Sequence, residues 1–294
     1  MMKTQTADTV IDAKSFEAIA HLAYRESGLQ LAVEKTSMIQ SRLRHRLRAL
    51  NIPDFENYSA FVCSDEGRQE RRHMISALTT NVSHFFREKH HFDRLQKCVT
   101  RDFLPRLRNG DRVRIWSAGC SNGQEAFSIA MSLLEVAPDI AEMDIRILAT
   151  DIDSTVIGFS KAASYPDRLT SGIPNELLQK YFVKRTEREE TVFCANEKLR
   201  SLIRFNELNL LSEWPMRHSM DVIFCRNVVI YFDVETQNRL WPRFHQILHP
   251  DGILFLGHSE RIADPQATGF ETDGPTTYRP MNASGQISLE PRGQ

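Results

Sequence analysis

The chain of 294 residues is long enough for one large domain or two ordinary ones, and its 41% hydrophobic and 26% charged residues are typical of a soluble globular protein. Its formal net charge of −1 excludes a global attraction to nucleic acid or to a membrane surface, so any electrostatic partner site must be local. The N-terminal residues hold no apolar signal segment, and no apolar run approaches the length that spans a bilayer, so we expect a cytoplasmic protein without direct membrane insertion.

The first part of the chain has the apolar spacing of helices. Between residues 15 and 76, apolar side chains such as Leu43 and Leu47 recur at three or four positions, with no strand-like alternation. A break in this pattern precedes Asp54, which is the expected N-cap of the next helix. We therefore predict a helical N-terminal domain with its linker over residues 1–90.

In the second part of the chain, short β-rich runs alternate with helices. Strands are predicted at Val113–Ser117, Ile145–Ala149, Asp221–Cys225 and Ile253–Leu256. A turn at residues 249–252 precedes the last of them, and a helix is predicted over residues 234–248. Alternation on this scale is typical of βαβ units, so we predict an α/β fold with a mostly parallel sheet over residues 91–280.

One segment does not fit a simple crossover between parallel strands. A helical run at Asn175–Tyr181 is followed by three β-like runs. These are Tyr181–Lys184, Thr191–Cys194 and Leu202–Phe205. We predict a small β-subdomain inserted into the sheet fold at about residues 167–205. The polar segment 281–294 is predicted to be a disordered tail.

Two features favour an adenosine-type cofactor. The first is the glycine loop, residues 116–125, between a strand and a helix, where glycines permit positive φ and a close backbone approach, although such turns are common. The second is Asp151 at the end of the next strand, because an acidic side chain there can accept both hydroxyls of a ribose. Helix capping by Asp151 or Asp153 is the alternative interpretation of this second feature.

The charge pattern selects among adenosine cofactors. The loop lacks the G-x-G-x-x-G pattern and the chain has no P-loop, so a pyrophosphate is poorly supported. Glu125 begins the helix after the loop, where its carboxylate would repel a phosphate but attract the sulfonium and ammonium groups of S-adenosyl-L-methionine. We therefore expect that cofactor, with S-adenosyl-L-homocysteine as its product.

Three histidines, His84, His90 and His91, are close in the sequence. Their spacing matches no metal-ligand pattern that also supplies a third partner. We therefore expect no metal and interpret them as solvated or helix-capping side chains.

A short basic run in the first part of the chain is a candidate docking surface. Arg42 and Arg46 lie four positions apart, as do Arg44 and Arg48, so a helix would carry two positive rows beside its apolar stripe. An ordinary solvated face is one alternative. Nucleic acid is another, which the nearly neutral net charge and the lack of interleaved aromatic residues disfavour.

Three stretches, in this order, resemble the chemotaxis receptor methyltransferases, the CheR family. They are residues 77–88 (ALTTNVSHFFRE), 224–232 (FCRNVVIYF) and 257–260 (GHSE). The resemblance extends over about residues 15–280 and implies an all-helical domain, a class I (Rossmann-like) methyltransferase domain and an inserted β-subdomain. It also implies the reaction, in which glutamate side chains of chemotaxis receptors become methyl esters.

The resemblance further implies which residues contact the cofactor. They are Asn81, Ser83, Arg87, Glu125, Asp151, Asn209, Leu210, Asn227 and Val228. Asn209 and Leu210 would flank the adenine. This chain departs from the family pattern at Ser83, where relatives carry threonine. It also departs at Gln124, where relatives carry a first acid, so Glu125 would act alone.

The implied reaction places few demands on the protein. A glutamate with a reference pKa of about 4.3 is more than ~99% ionised at pH 7, so an in-line methyl transfer to it needs no general base. The chain also lacks the Asn-Pro-Pro-Tyr motif of amide and adenine methyltransferases. Arg87 would hold the substrate carboxylate and Tyr231 would orient it; a structural salt bridge and core packing are the respective alternatives.

The expected partner is the acidic helical bundle of a receptor cytoplasmic domain, which would dock on the basic helix. Some relatives also bind an aromatic pentapeptide at the receptor C-terminus, as a strand added to the β-subdomain. The corresponding loop here, residues 184–191, has no glycine, so we predict no pentapeptide tether. Two other functions stay open: a non-catalytic regulatory module that binds S-adenosylmethionine or S-adenosylhomocysteine, and a methyltransferase of small molecules or RNA.

Overall fold

The computed structural model describes residues 10–187 and 189–281. The predicted disordered tail lies, apart from Met281, outside the described residues. Within the described ranges, no helix combines the length and the apolar character needed to cross a membrane. The five cysteines are free thiols, and Cys98, Cys120 and Cys225 are buried, as expected for small apolar core residues.

Four helices make up the N-terminal part. They are α1 (Ala13–Ser27), α2 (Thr36–Leu50), α3 (Phe55–Cys63) and α4 (Arg68–Leu78). The Asp54 side chain accepts a hydrogen bond from the Asn57 backbone N–H, which confirms the predicted N-cap. Leu43 and Leu47 of α2 are buried in the core shared by the four helices, as their spacing predicted.

In the rest of the chain, the strands predicted at 113–117, 145–149 and 221–225 are each followed by a helix, as expected for an α/β fold. In chain order the elements of this part are α5 (Lys89–Cys98), α6 (Leu104–Arg108), β1 (Val113–Ala118), α7 (Gln124–Val136), β2 (Ile145–Asp151), α8 (Ser154–Ala162), β3 (Ser164–Pro166), α9 (Asn175–Tyr181), β4 (Phe182–Glu187), β5 (Glu190–Ala195), α10 (Glu197–Ser201), β6 (Ile203–Glu207), β7 (Met220–Cys225), α11 (Val234–Ile247), β8 (Leu248–Leu256), β9 (Phe270–Thr272) and β10 (Thr277–Pro280).

A seven-stranded sheet forms the centre of the second part, in the order β6-β2-β1-β7-β8-β10-β9. The first five strands of this order run parallel, whereas β10 pairs antiparallel with both of its neighbours. Alternate residues of β1 pack into opposite cores: Ile115 lies in the core with α7, and Trp116 lies in the core with α11. The predicted α/β class and mostly parallel sheet are confirmed.

The predicted turn at residues 249–252 is wrong as a separate element, because these residues belong to β8. The pairing with β7 shifts there: Met220 is opposite Leu248, and Val222 is opposite Ile253. The partner strand thus advances two residues while β8 advances five, so the proline–glycine segment bulges out of a continuous strand.

The inserted β-subdomain has different limits from those predicted. Its three strands have the order β3-β5-β4, so it includes Ser164–Pro166, which the sequence analysis missed. The predicted C-terminal limit at residue 205 is wrong, because β6 pairs parallel with β2 in the main sheet, with Ile203 opposite Ile147. A short alternating run predicts a strand, but nothing in it specifies which sheet the strand joins.

The hairpin of this subdomain is tighter than predicted. Residues 184–187 and 190–191, interpreted from sequence as a loop, are paired strand residues, and Glu187 lies opposite Glu190. Only residues 188 and 189 connect the strands, and Glu189 has a φ of 67°. A positive φ of this kind is typical of tight β-hairpin turns.

Candidate functional site

One cleft lies at the carboxyl ends of the parallel strands, beneath the linker that joins the two parts of the chain. It is bordered by the glycine loop, the ends of β2 and β7, and the segment after β6. All of the predicted cofactor and catalytic residues line it: Asn81, Ser83, Arg87, Glu125, Asp151, Asn209, Leu210, Asn227, Val228 and Tyr231. The structure therefore brings residues from five separate segments into one cleft, while their individual roles remain predictions.

The glycine loop is hydrogen-bonded to the end of β2. The backbone N–H groups of Gly119 and Cys120 donate to the Thr150 carbonyl at 2.8 and 2.9 Å. Gly119 has a φ of 85°, and a Cβ atom on it would lie only 2.3 Å from Val228 Cγ2. A side chain at this position would therefore strain the backbone and displace Val228 from the cleft wall.

Asp151 is held by backbone amides. Its Oδ2 accepts from the Ser121 N–H at 2.8 Å and its Oδ1 from the Asp153 N–H at 3.0 Å. Asp153, in contrast, caps α8 by accepting from the Thr155 N–H at 2.8 Å. Burial raises the pKa of Asp151 above its usual range, although the backbone hydrogen bonds oppose the shift. The carboxylate that faces the cleft is therefore not the helix cap.

Glu125 is held by side chains instead. Its Oε1 accepts from Ser117 Oγ at 2.6 Å, and its Oε2 accepts from Arg226 Nη1 at 3.0 Å. Burial raises the pKa of Glu125, and the nearby guanidinium partly offsets this rise. Glu125, which is predicted to take the place of the two acids found in relatives, is thus paired with an arginine inside the cleft.

Arg226 is a site residue that the sequence analysis missed. Its side chain is 2% exposed, and besides Glu125 it contacts the Glu88 carboxylate at 3.3 Å and donates to the Arg87 carbonyl. It thus joins the linker to the end of β7. A signal was present, since an arginine directly after the apolar run 222–225 needs partners if it is buried, but the sequence does not say which carboxylates supply them.

Glu260 is the second residue that was missed, although it lies in one of the three stretches of family resemblance. Its carboxylate accepts from the N–H groups of Asn227, Val228, Ile230 and Gly257, at 2.7, 2.8, 3.2 and 2.6 Å. Asn227 has a φ of 59°, a conformation that non-glycine residues rarely adopt. Glu260 therefore fixes the shape of the loop that closes one side of the cleft.

The linker and the segment after β6 complete the walls. Asn81 Nδ2 donates to Asp153 Oδ2 at 2.8 Å, and Arg87 Nη1 donates to the Val82 carbonyl at 3.0 Å. The Tyr231 hydroxyl lies 3.5 Å from the Thr80 carbonyl, at the limit of a hydrogen bond. Asn209 Nδ2 donates to the Glu26 carbonyl of α1 at 2.7 Å, so this wall is anchored to the helical domain.

The basic helix α2 is divided between the inside and the outside of the helical domain. Arg46 forms a two-point ion pair with Glu70, and Arg42 donates to the carbonyls of Leu78 and Thr79. These two side chains are therefore engaged within the protein, contrary to the expectation of two rows available for docking. Of the other row, Arg48 is exposed and Arg44 is half-buried.

The histidine interpretation is wrong for His91, which is fully buried. Its Nε2 lies 3.0 Å from Thr276 Oγ1, and burial lowers its pKa to about 3. Ligand atoms of Glu88, His90 and His91 lie within 4.8 Å of one another, so Glu88 is the third potential ligand that the spacing did not reveal. The Glu88 carboxylate already contacts Arg226, so a cation there would compete with the guanidinium.

Comparisons with known proteins agree with this architecture. The description "CheR methyltransferase, all-alpha domain" matches residues 14–79, and "CheR methyltransferase, SAM binding domain" matches residues 81–278. The chain is 41% identical to a probable chemotaxis protein methyltransferase of Rhizobium etli over 88% of this chain and 96% of that protein. It is 36% identical to the chemotaxis protein methyltransferase of Escherichia coli over 90% of this chain and 89% of that protein.

The likeness to solved structures is more distant. PKMT2 from Rickettsia typhi, in complex with AdoHcy, is 15% identical, with a TM-score of 0.32 and coverage of 55% of this chain and 24% of that one.

The cleft fits the S-adenosylmethionine that this family binds. The carboxylates of Glu125 and Asp151 line the cleft, and a carboxylate attracts the cationic groups of this ligand. Asp151 at the end of β2 has carboxylate oxygens beside the glycine loop, and Leu210 adds an apolar wall. From its two matching domains and its relatives, we conclude that the chain belongs to the CheR family of chemotaxis protein methyltransferases and uses S-adenosylmethionine as its cofactor.

Proposed function

We propose that this methyltransferase converts glutamate side chains on the cytoplasmic domain of a chemotaxis receptor into methyl esters. The observation that carries the proposal is how the two carboxylates that line the cleft are held. Glu125 accepts from Ser117 and Arg226, and Asp151 accepts from two backbone amides, so we assign both to cofactor binding and neither to a substrate proton. A nucleophile that needed deprotonation would require a further base within hydrogen-bond reach of its proton. A glutamate substrate is already ionised at neutral pH and needs none.

The residues of the cleft then act by binding and orientation. When bound, S-adenosylmethionine supplies an electrophilic methyl group, which a carboxylate oxygen accepts in line as the carbon–sulfur bond breaks. We assign Arg87 to hold the substrate carboxylate and Tyr231 to orient it, because both side chains line the cleft. Asn227 and Val228, held in place by Glu260, close the site beside them. Orientation of this kind can supply roughly 7–11 kcal/mol of the barrier reduction.

The proposal is tested by incubating receptor cytoplasmic fragments with the enzyme and cofactor labelled in the methyl group. Carboxyl esters release labelled methanol in base, and mass spectrometry then locates the modified glutamates. A cofactor-binding regulatory module would release no methanol. A methyltransferase of RNA or small molecules would place a base-stable label on those substrates and would leave the receptor unlabelled.

We propose that receptor docking uses the basic row of α2 that contains Arg44 and the exposed Arg48. Acidic receptor helices complement a short basic patch of this kind. Reversing both charges, Arg44→Glu with Arg48→Glu, should raise KM for the receptor and leave cofactor affinity unchanged.

The same charge change at the exposed residues Lys198 and Arg200 of α10 is the matched control and should leave KM unchanged. Added salt should weaken wild-type activity by screening the contact. If the α2 double variant methylates receptor normally at low salt, docking occurs elsewhere.

We also propose that the enzyme does not use a pentapeptide tether. The segment interpreted from sequence as a glycine-free loop is mostly paired strand. Only two positions lie between β4 and β5, because the flanking residues pair with each other. A connection of that length has no extended loop to close over an added strand. Titration of an aromatic receptor-tail pentapeptide should therefore give no detectable heat, and micromolar binding would contradict the proposal.

A further inference from the structure

The last turn of α1 contacts two segments that line the cofactor cleft. The Glu26 carbonyl accepts from Asn209 Nδ2 at 2.7 Å, and the Gln30 N–H just beyond the helix donates to the Tyr231 carbonyl at 3.1 Å. Ser27 and Leu29, between these contacts, line the cleft themselves. A helix of the N-terminal domain is therefore part of the wall around the cofactor.

Gly28 lets this turn approach closely. It ends α1 with a φ of 71°, the left-handed conformation of a helix C-cap. A Cβ atom there would lie 2.8 Å from Leu211 Cδ1 and 3.1 Å from Phe232 Cδ1. The turn thus rests directly on side chains that adjoin Leu210 and Tyr231, so a small displacement of α1 would move the cleft wall.

One hydrogen bond holds α1 at this position from outside the cleft. The Tyr24 hydroxyl donates to Asp233 Oδ2 at 2.6 Å, while Asp233 Oδ1 caps α11 by accepting from the Thr236 N–H at 2.6 Å. The bond raises the pKa of Tyr24 and lowers that of Asp233, as expected when a hydroxyl donates to an ionised carboxylate. Neither residue lines the cofactor cleft.

We propose that Tyr24 is a positioning residue for cofactor binding. Through Asp233 it holds the end of α1 against residues 209–211 and 231–232, so that docking of the helical domain and binding of S-adenosylmethionine favour each other. Such coupling is reciprocal: loosening α1 weakens cofactor binding, and bound cofactor tightens the contact of α1 with the second domain. The proposal depends on the cofactor and not on the identity of the methylated side chain.

The decisive variant is Tyr24→Phe, which removes one hydroxyl and keeps the ring. We expect Kd for S-adenosylhomocysteine to rise roughly three- to tenfold, since the lost bond acts only through the position of α1. KM for S-adenosylmethionine should rise in parallel, while kcat at saturating cofactor should change less than about twofold, because no reacting group is touched.

Tyr58→Phe is the matched control. Its hydroxyl also donates to a carboxylate, that of Glu70, at 3.0 Å, but entirely within the helical domain. This variant should lower the melting temperature without changing Kd for S-adenosylhomocysteine. Combining Tyr24→Phe with Asp233→Asn should weaken binding no further than Tyr24→Phe does alone, because both changes remove the same contact.

Hydrogen exchange gives an independent measure. In the wild type, added S-adenosylhomocysteine should slow exchange of the Gln30 amide, and in Tyr24→Phe this amide should exchange faster in the free protein. An unchanged Kd in Tyr24→Phe, or an equal shift in Tyr58→Phe, would overturn the proposal. If the wild type binds S-adenosylhomocysteine normally but leaves receptor glutamates unmodified, only the proposed function fails.

Discussion

Two carboxylates line the same cleft and are held in opposite ways. Asp151 is fixed by backbone amides of its own turn and of the glycine loop beside it, whereas Glu125 is fixed by the side chains of Ser117 and Arg226. The first arrangement forms once β1 and β2 pair. The second also requires β7 and the linker, because Arg226 contacts both.

The difference predicts how strongly a substitution at each carboxylate's contacts should affect the protein. A carboxylate held by backbone groups loses only its own contacts when it is changed. An ion pair buried between three elements leaves uncompensated charges when one partner is removed. The following experiments, taken in order of decreasing expected effect, test this comparison.

Arg226→Met should have the largest effect. It leaves the buried Glu125 and Glu88 without the guanidinium, and breaking a buried pair in this way typically costs about 3–5 kcal/mol. Chemical denaturation at neutral pH should show this loss in the free energy of unfolding, and cofactor binding should weaken with it. The exposed pair of Lys180 and Glu135 is the control, since Lys180→Met should cost no more than about 1 kcal/mol. An equal loss of unfolding free energy in Arg226→Met and Lys180→Met would contradict the difference between the buried and the exposed ion pair.

Asp151→Ala should act mainly on the cofactor. The change removes two charge-assisted hydrogen bonds to the ribose, each worth about 1.5–3 kcal/mol before compensation, so Kd should rise by at least about tenfold. The Ser121 and Asp153 amides also lose their acceptor, so a smaller fall in stability is expected. Asp54→Ala removes a cap in the helical domain and should lower stability alone. Calorimetry that finds normal affinity for S-adenosylhomocysteine in Asp151→Ala would contradict the ribose assignment.

The pH dependence of binding should show the smallest effect. Burial raises the pKa of both Glu125 and Asp151, so both carboxyls protonate at higher pH than exposed acids do. A cationic cofactor binds the ionised forms, so its affinity should rise as pH increases through the raised pKa values and then level off. Glu125→Gln should flatten this dependence. Affinity that stays constant on acidification toward about pH 5 would show that neither carboxyl titrates in that range.

The contribution of these two carboxyls to the stability of the cofactor-free protein should follow the opposite trend. A carboxyl whose folded-state pKa is raised stabilises the fold at pH values below its unfolded pKa, and that contribution is lost as pH rises through the folded pKa. Bound cofactor should therefore protect the protein most near neutral pH. Thermal unfolding with and without S-adenosylmethionine, over a series of pH values, measures both trends together.

Much of the fold was predictable because local periodicity carried it. The strands at Val113 and Ile145, the helix at Asn175–Tyr181 and the cap at Asp54 all follow from spacing or residue type over a few positions. The errors occurred where a local sequence pattern is compatible with more than one strand pairing. β6 was placed in the wrong sheet, and the proline–glycine segment in β8 was interpreted as a turn although pairing with β7 continues past it.

Some residues of the cleft were likewise predictable from the sequence, and others were not. Asp151 and the glycine loop were recognisable because a strand end and two glycines lie close together in the sequence. The partners of Glu125 were not, since Arg226 lies 101 positions away from it. The four backbone amides that donate to Glu260 could not be predicted either, because backbone groups carry no signature in the sequence.

The sequence by itself determined the helical first part, the alternation of the main strands with helices in the second part, the apolar stripe of α2, and the family to which the chain belongs. Only the tertiary structure decided that Arg42 and Arg46 of α2 are engaged inside the helical domain, which carboxylates share Arg226, and that the end of α1 forms part of the cofactor cleft. The physical reason is that periodicity and propensity act over a few residues. Ion pairs and hydrogen bonds between distant segments depend instead on how complete elements pack.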